Sequence, residues 1–173
     1  MKNYKLLFTI LVLIYSINSF AQGTAKVELT KNGYEPIVFN IENQNQSDIY
    51  NLTKKWIIKN YKNPKEVVTA DVENENINIS GYADNIVKWG VSGGGFGLKY
   101  ILQIEFKDNR YRVTVLPEID SPALSYSSFF KKDGEKRNGY KGGPESIDNY
   151  INPLLENLNN FIKNKGAGED SKW

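Results

Sequence analysis

Apolar and polar residues alternate along several segments of this chain, with the period of two that is typical of half-buried β-strands. Residues 24–30 alternate in this way, and Asn32-Gly33 then favours a tight turn. A second predicted strand follows, and its apolar face consists of Ile37, Phe39 and Ile41. A simple hairpin would pair Val27 with Val38, on the face opposite this apolar row, so the partner of residues 24–30 stays open.

Two segments instead repeat apolar residues every three to four positions, the period of a helix with one buried face. The first is predicted over residues 48–60, with Ser47 as its N-cap and Asn63-Pro64 as its stop. The second is predicted over residues 146–163, and Pro153 inside it predicts a kink or a restart. Each helix therefore has one face suited to packing on a sheet.

Between the helices the alternating pattern predicts a meander of antiparallel strands. The predicted strands cover residues 66–72, 77–83, 98–106 and 111–116. The clearest hairpin joins the last two through residues 107–110, and Pro117 and Pro122 are expected to end the sheet. The order strand, helix, four strands, helix predicts an α+β fold, an antiparallel sheet with two helices packed on one face.

The N-terminus has the pattern of a secretory signal peptide. Lys2 and Lys5 precede the apolar run at 6–17, and small residues at Ser19 and Ala21 predict cleavage before Gln22. The alternative is a membrane anchor, but this run is shorter than the ~20 residues that span a bilayer. We therefore expect a signal peptide at 1–21, one domain at 22–165 and a loose tail at 166–173. No transmembrane anchor is expected after cleavage, and export to a Gram-negative periplasm or secretion is expected.

Composition excludes several classes of function. The chain has no cysteine and no histidine, which removes disulfides, zinc sites and histidine-dependent nucleophiles. Residues 1–21 hold two lysines and no acidic residue, so residues 22–173 carry 20 basic and 20 acidic groups. Nucleic acid is therefore an improbable partner, because its binding depends on excess positive charge. No metal and no cofactor is expected.

Five strings of the sequence resemble an exported bacterial family. They are KKWIIKNYKNPKEV (54–67), INISGYA (77–83), YILQIEFKDNRYRV (100–113), FFKKDGEKRNGYK (129–141) and ENLNNFIK (156–163). The family is the domain of unknown function 4468, with a TATA-box-binding-protein-like (TBP-like) fold, and the resemblance spans roughly residues 34–165. It implies that fold and an export signal, and it brings no activity or catalytic residue. Fold alone does not imply DNA binding.

Aromatic residues in otherwise polar segments are the candidate binding residues. Trp89 precedes a glycine cluster at 93–97, and Phe96 lies within it. The cluster is predicted as a flexible connection or bulge and, alternatively, as a contact surface together with these two aromatic residues. Tyr126, Phe129 and Phe130 lie in the Ser-, Gly- and Lys-rich segment 120–145. They either hold this loop on the core or form an exposed aromatic patch for a ligand or partner.

Other motifs give weak support to catalysis. Ser128 and Lys131 match Ser-x-x-Lys, but the companion motifs of that chemistry are absent. The acidic residues Asp71, Glu73 and Glu75 flank a predicted polar turn, where water would keep them ionised. Residues 133–139 have acidic residues at alternate positions but lack the ligand pattern of a calcium loop.

These observations predict a non-enzymatic envelope module that binds a protein partner or a small apolar ligand. A ligand of that kind would occupy a pocket between the sheet and the C-terminal helix. One alternative is a structural module that self-associates through its sheet edges. The other is a hydrolase that uses Ser128 and Lys131.

Overall fold

A computed structural model describes residues 26–88, 95–140 and 142–166 of the 173-residue chain. In these ranges three α-helices and five β-strands follow one another, with two 3₁₀ turns before the last helix. They are β1 (Ile37–Asn40), α1 (Gln46–Asn60), α2 (Pro64–Val67), β2 (Val68–Val72), β3 (Asn76–Lys88), β4 (Gly95–Lys107), β5 (Arg110–Ile119), the 3₁₀ turns Tyr126–Phe129 and Asn138–Tyr140, and α3 (Gly142–Lys163).

The five strands form one antiparallel sheet in the order β1-β5-β4-β3-β2. Along β4 and β5 buried and exposed residues alternate, as the period of two in the sequence requires. The long helices α1 and α3 pack on the buried face of the sheet. The predicted α+β class, with helices on one side of an antiparallel sheet, is confirmed.

The core lies between the sheet and these two helices. Trp56 of α1 is fully buried, and its indole Nε1 donates to Asn157 Oδ1 of α3 at 2.7 Å. The fully buried residues of the sheet and α3 meet face to face; among them are Ile77, Ile79, Leu98, Leu102, Ile104, Val113, Ile147, Ile151, Leu158 and Ile162. None of the helices in the described ranges is long and apolar enough to cross a membrane.

Helix α1 begins two residues before the predicted start. Its N-cap is Asn45, whose side chain accepts a hydrogen bond from the Asp48 N–H at 2.8 Å, so the prediction of Ser47 as the cap was wrong. Both residue types cap helices well, so the sequence alone does not choose between them. In the structure, Asp108 Oδ1 accepts the Gln46 N–H at 2.9 Å. This contact with the β4–β5 turn fixes where the first helical turn lies.

The β4–β5 hairpin is longer than its predicted extent. Strand β5 continues through Pro117 to Ile119, so Pro117 does not end the sheet. Asp120 donates its N–H to Gly97 O at 2.9 Å, and by alternation the nitrogen of Pro117 faces away from β4. Strand β1 pairs only with residues 110–113 of β5, so no partner strand needs a donor at Pro117.

The N-terminal segment lies outside the sheet. The described part of the predicted strand 24–30 has no strand neighbour; its one bridge joins Thr30 to Gly33 across a local turn. Leu29 is buried against the core, and its N–H donates to Asp148 Oδ1 of α3 at 2.9 Å. The alternating pattern therefore reflects one buried side of an extended segment that packs on a helix.

Helix α3 begins at Gly142, four residues before the predicted start, and continues without a break through Pro153 to Lys163. The predicted restart at Pro153 is not observed, and this residue lies on the exposed side of the helix. Early in the helix Ser146 Oγ donates to Gly143 O at 2.8 Å and accepts the Lys88 N–H at 3.1 Å. These bonds connect the first turn of α3 to the end of β3.

Candidate functional site

The face of the sheet opposite α1 and α3 is the candidate functional site, and we call it the open face. No helix or strand in the described part of the chain covers it, and its side chains come from alternate positions of each strand. Five cross-strand pairs of β4 and β5 lie on it: Lys99–Glu118, Ile101–Leu116, Gln103–Thr114, Glu105–Arg112 and Lys107–Arg110.

The centre of the open face is apolar. Ile101 and Leu116 stand directly opposite each other, 36% and 45% exposed. Neighbouring side chains of such a pair lie about 5 Å apart, so the two form one apolar surface. An exposed apolar pair between polar neighbours has the arrangement of the centre and rim of a protein interface.

An ion pair lies on either side of this apolar pair along the strands. Lys99 Nζ lies 2.7 Å from Asp120 Oδ1, and this hydrogen bond raises the pKa of Lys99. On the other side, Arg112 donates from Nε to Glu105 Oε2 at 2.6 Å. Both pairs are largely exposed, so each adds little to stability and much to the polarity of the rim.

Tyr82 adds an exposed ring to the same face. It is 55% exposed and leans across the backbone of Gly97, where a Cβ would lie 2.5 Å from the tyrosine hydroxyl oxygen. The last glycines of the predicted 93–97 cluster therefore belong to β4, where the missing side chain leaves room for the ring. Gly93 and Gly94 lie outside the described residues.

A shallow cleft of about 220 Å³ opens where β1 meets the end of the β4–β5 hairpin. Val38 and Tyr111 contribute its apolar wall. Its charged lining consists of Glu105, Lys107, Arg110 and Arg112. The cleft is thus mainly cationic and continuous with the open face.

The predicted aromatic site does not form at the surface. Phe129 and Phe130 are 0% and 3% exposed, so the alternative of an exposed patch is wrong for these two side chains and the loop is held on the core. Tyr126 and Phe96 are half-buried and also pack on the core. Trp89 lies outside the described residues. The polar sequence of 120–145 hid this burial, because the burial depends on how the loop packs on two other elements, α3 and β5.

The pocket expected between the sheet and the C-terminal helix is absent from the described residues. Side chains of both elements fill that space, including the hydroxyl of Tyr100, which lies 3.2 Å from that of Tyr61 and 3.4 Å from that of Tyr150. Burial raises the pKa of Tyr61 to about 12, so this hydroxyl stays protonated. The three hydroxyl groups thereby act as hydrogen-bonding partners for one another.

The Ser-x-x-Lys motif has no geometry for catalysis. Lys131 Nζ lies against Glu135 Oε2, and this hydrogen bond raises the pKa of the lysine. A lysine that activates serine must lose its proton, so the shift has the wrong direction. Ser128 instead lines a separate surface depression with the loop 117–126.

Of the three acidic residues around the predicted polar turn, Asp71, Glu73 and Glu75, the first is occupied by structural contacts. Asp71 accepts from Tyr50 OH at 2.7 Å and from Lys54 Nζ at 2.9 Å. Its burial would raise its pKa, but the hydrogen bonds from Lys54 and Tyr50 and the lysine charge outweigh burial and lower it. In the described ranges no three His, Cys, Asp or Glu side chains converge as a metal site would require.

Comparison with known proteins agrees with the resemblance in the sequence. Residues 37–116 match the family described as a domain of unknown function (DUF4468) with TBP-like fold. Over these residues the chain is similar to the DUF4468 family. The matched residues run from β1 to within β5, so they include most of the open face, whereas α3 follows them.

Two crystal structures of bacterial proteins share the fold. A TBP-like protein from Parabacteroides distasonis is 17% identical, with a TM-score of 0.51 over 76% of this chain and 90% of that chain. A DUF4468 family protein from Bacteroides ovatus is 14% identical, with a TM-score of 0.53 over 80% of this chain and 88% of that chain. No curated protein matches the sequence.

Proposed function

We propose that this protein is a non-enzymatic, exported interaction module that binds a protein partner through its open face. The observation that carries the proposal is the uncovered sheet surface with Ile101 and Leu116 at its centre. Ion pairs surround this centre, as polar rims surround the apolar centres of protein interfaces. A surface of this kind suits a folded or extended protein partner.

The charge of the open face disfavours nucleic acid as the partner. Glu105, Glu118 and Asp120 lie among its cations, and a phosphate backbone crossing the face would meet them. Affinity for nucleic acid depends on neutralising many phosphates with unpaired cations. The TBP-like fold does not change this expectation, because function depends on the site rather than on the fold.

Site-specific photocrosslinking in the native organism tests the binding face. A photoreactive amino acid at position 101 is expected to crosslink one discrete protein. The matched control is position 58, where Ile58 is 67% exposed on α1, away from the open face. Equal crosslinking from both positions, or none from position 101, would contradict the proposal.

Self-association is the competing outcome of the same experiment. If the crosslinked product from position 101 has twice the mass of the chain, the partner is a second copy. Sedimentation at several concentrations then decides, because a monomer at all of them excludes a stable dimer. If the crosslinked product has the doubled mass and sedimentation shows a dimer, the proposal of a different protein partner fails.

Export is the second part of the proposal, and the pattern at residues 1–21 supports it. The intact mass of the protein recovered from its own cells is expected to match cleavage before Gln22. Fractionation should place this shortened form in the periplasm or the medium. An uncleaved chain in the cytoplasm would refute export.

A further inference from the structure

We propose that the cleft between β1 and the β4–β5 turn receives acidic side chains of the protein partner. The inference rests on the proposed function, since it names the chemistry that the partner presents at one end of the open face. The cleft is lined by Lys107 and Arg110, together with Val38 and the Glu105–Arg112 pair.

Lys107 and Arg110 are the one mismatched pair of the β4–β5 hairpin on this face. The other four cross-strand pairs of the open face join opposite charges, two apolar residues or two neutral polar residues. Like charges directly opposite each other destabilise a sheet. This arrangement therefore does not serve folding, and a bound anion would relieve the repulsion.

Two carboxylates beside the cleft are occupied by other groups. Glu105 is bound by Arg112, and Asp108 accepts the backbone N–H of Gln46 at the start of α1, on the other side of the turn. Within the described part of the chain, no side-chain hydrogen bond or ion pair engages Lys107 or Arg110. The cleft thus holds two uncompensated cations.

The size and walls of the cleft favour peptide side chains. A volume of about 220 Å³ suits one or two side chains rather than a whole ligand, and Val38, 48% exposed, offers an apolar contact beside the cations. An extended segment with glutamate and valine at alternate positions on one side satisfies both features. Charge complementarity therefore selects an acidic segment of a partner.

The probe is a blocked eight-residue peptide of sequence Glu-Ser-Val-Ser-Glu-Ser-Val-Ser, which places glutamate and valine on the same side of an extended chain. It is titrated into the isotope-labelled protein and followed by NMR. The 173-residue chain is expressed, and the protein is purified after any cleavage by the host cell. We expect saturable shifts confined to Val38 and residues 107–112. They should weaken as salt increases, because exposed charges are screened.

A matched peptide with glutamine in place of glutamate is expected to cause no saturable shift. The double variant Lys107→Glu with Arg110→Glu should weaken binding of the acidic peptide by about tenfold or more, since both cations that would donate charged hydrogen bonds to it are replaced by carboxylates. The control, Lys55→Glu with Lys62→Glu, makes the same charge change on the helical side and should bind normally. Binding that survives in the first variant, or equal binding of both peptides, overturns the inference.

Two further readouts complete the test. The single variant Lys107→Glu creates an opposite-charge pair with Arg110, so its melting temperature should rise while its affinity for the peptide falls. A lower melting temperature would refute the repulsion between Lys107 and Arg110. Inorganic phosphate at equal ionic strength should neither shift the cleft residues nor displace the peptide; if it does both, the cleft is a free-anion site instead. Crosslinking from position 101 reports independently on the open face, so the failure of one proposal is distinguishable from the failure of the other.

Discussion

The side-chain amide of Asn152 makes two hydrogen bonds with the backbone of Val27. Its Oδ1 accepts the Val27 N–H at 2.8 Å, and its Nδ2 donates to the Val27 carbonyl at 2.9 Å. The backbone of a neighbouring strand would offer the same donor and acceptor. Here a side chain of helix α3 makes these two hydrogen bonds instead. The N-terminal segment is thereby fixed on α3.

Asn152→Ala is expected to lower the free energy of unfolding by about 1–3 kcal/mol, because both backbone groups of Val27 lose their partner. Hydrogen exchange at the Val27 amide should accelerate together with this loss. The control is Asn149→Ala, an exposed position of the same helix, which should change stability by less than about 0.5 kcal/mol. Unchanged exchange at Val27 would show that the amide does not hold the segment.

Asp148, which accepts the Leu29 N–H of the N-terminal segment, is expected to make the stability of the protein depend on pH. Burial raises the pKa of this carboxyl above its ordinary 3.8, against hydrogen bonds from Tyr34 and the Leu29 N–H that lower it. The folded protein therefore binds the proton more tightly than the unfolded chain. This contribution to stability is complete below the unfolded pKa and is lost as the pH rises through the folded pKa.

Asp148→Asn removes that titration. The free energy of unfolding of the wild type minus that of the variant is expected to be larger at about pH 3.5 than at about pH 7. Asp71→Asn should behave oppositely, because hydrogen bonds from Lys54 and Tyr50 lower the pKa of Asp71 despite its burial. Chemical denaturation of the wild type and both variants across this pH range measures how each stability difference changes with pH. If both differences change in the same way, both pKa directions are contradicted.

Gly143→Ala is expected to destabilise the protein by overpacking. A Cβ at Gly143 would lie 2.7 Å from the Phe129 ring, which is fully buried and has little room to move. Such insertions cost about 1–3 kcal/mol. Gly139→Ala is the control, since no atom lies within 4 Å of its added Cβ. Thermal unfolding should separate the two variants, and equal melting temperatures would mean that the ring relocates freely.

Phe129→Leu tests whether the loop after β5 is held by the core. The side chain is fully buried against α3, so the substitution should lower the free energy of unfolding by about 1–3 kcal/mol, and Phe129→Ala by about 3–5 kcal/mol. Leu124→Ala, at a half-buried position of the same loop, should cost less. Unfolding in urea gives these differences, and a neutral Phe129→Leu would place the ring outside the core.

The β4–β5 hairpin and the two long helices could be predicted from the sequence. In β4, apolar residues from Leu98 to Phe106 occupy every second position, and this local alternation alone specifies a strand with one buried face. The apolar rhythm of α3 likewise specifies a helix, whose packing stabilises it across Pro153. Five short strings were enough to indicate the family as well.

The sequence by itself therefore determined the strands and helices that a local apolar periodicity specifies. It also determined that cysteine and histidine chemistry is absent. Tertiary structure decided what depends on distant partners. Val27 alternates like a strand residue, yet its partner is a helix side chain 125 positions away. Phe129 lies in a polar segment, yet α3 buries it. Local periodicity reports which side of a segment is apolar, whereas its partner is chosen by long-range packing and hydrogen bonding.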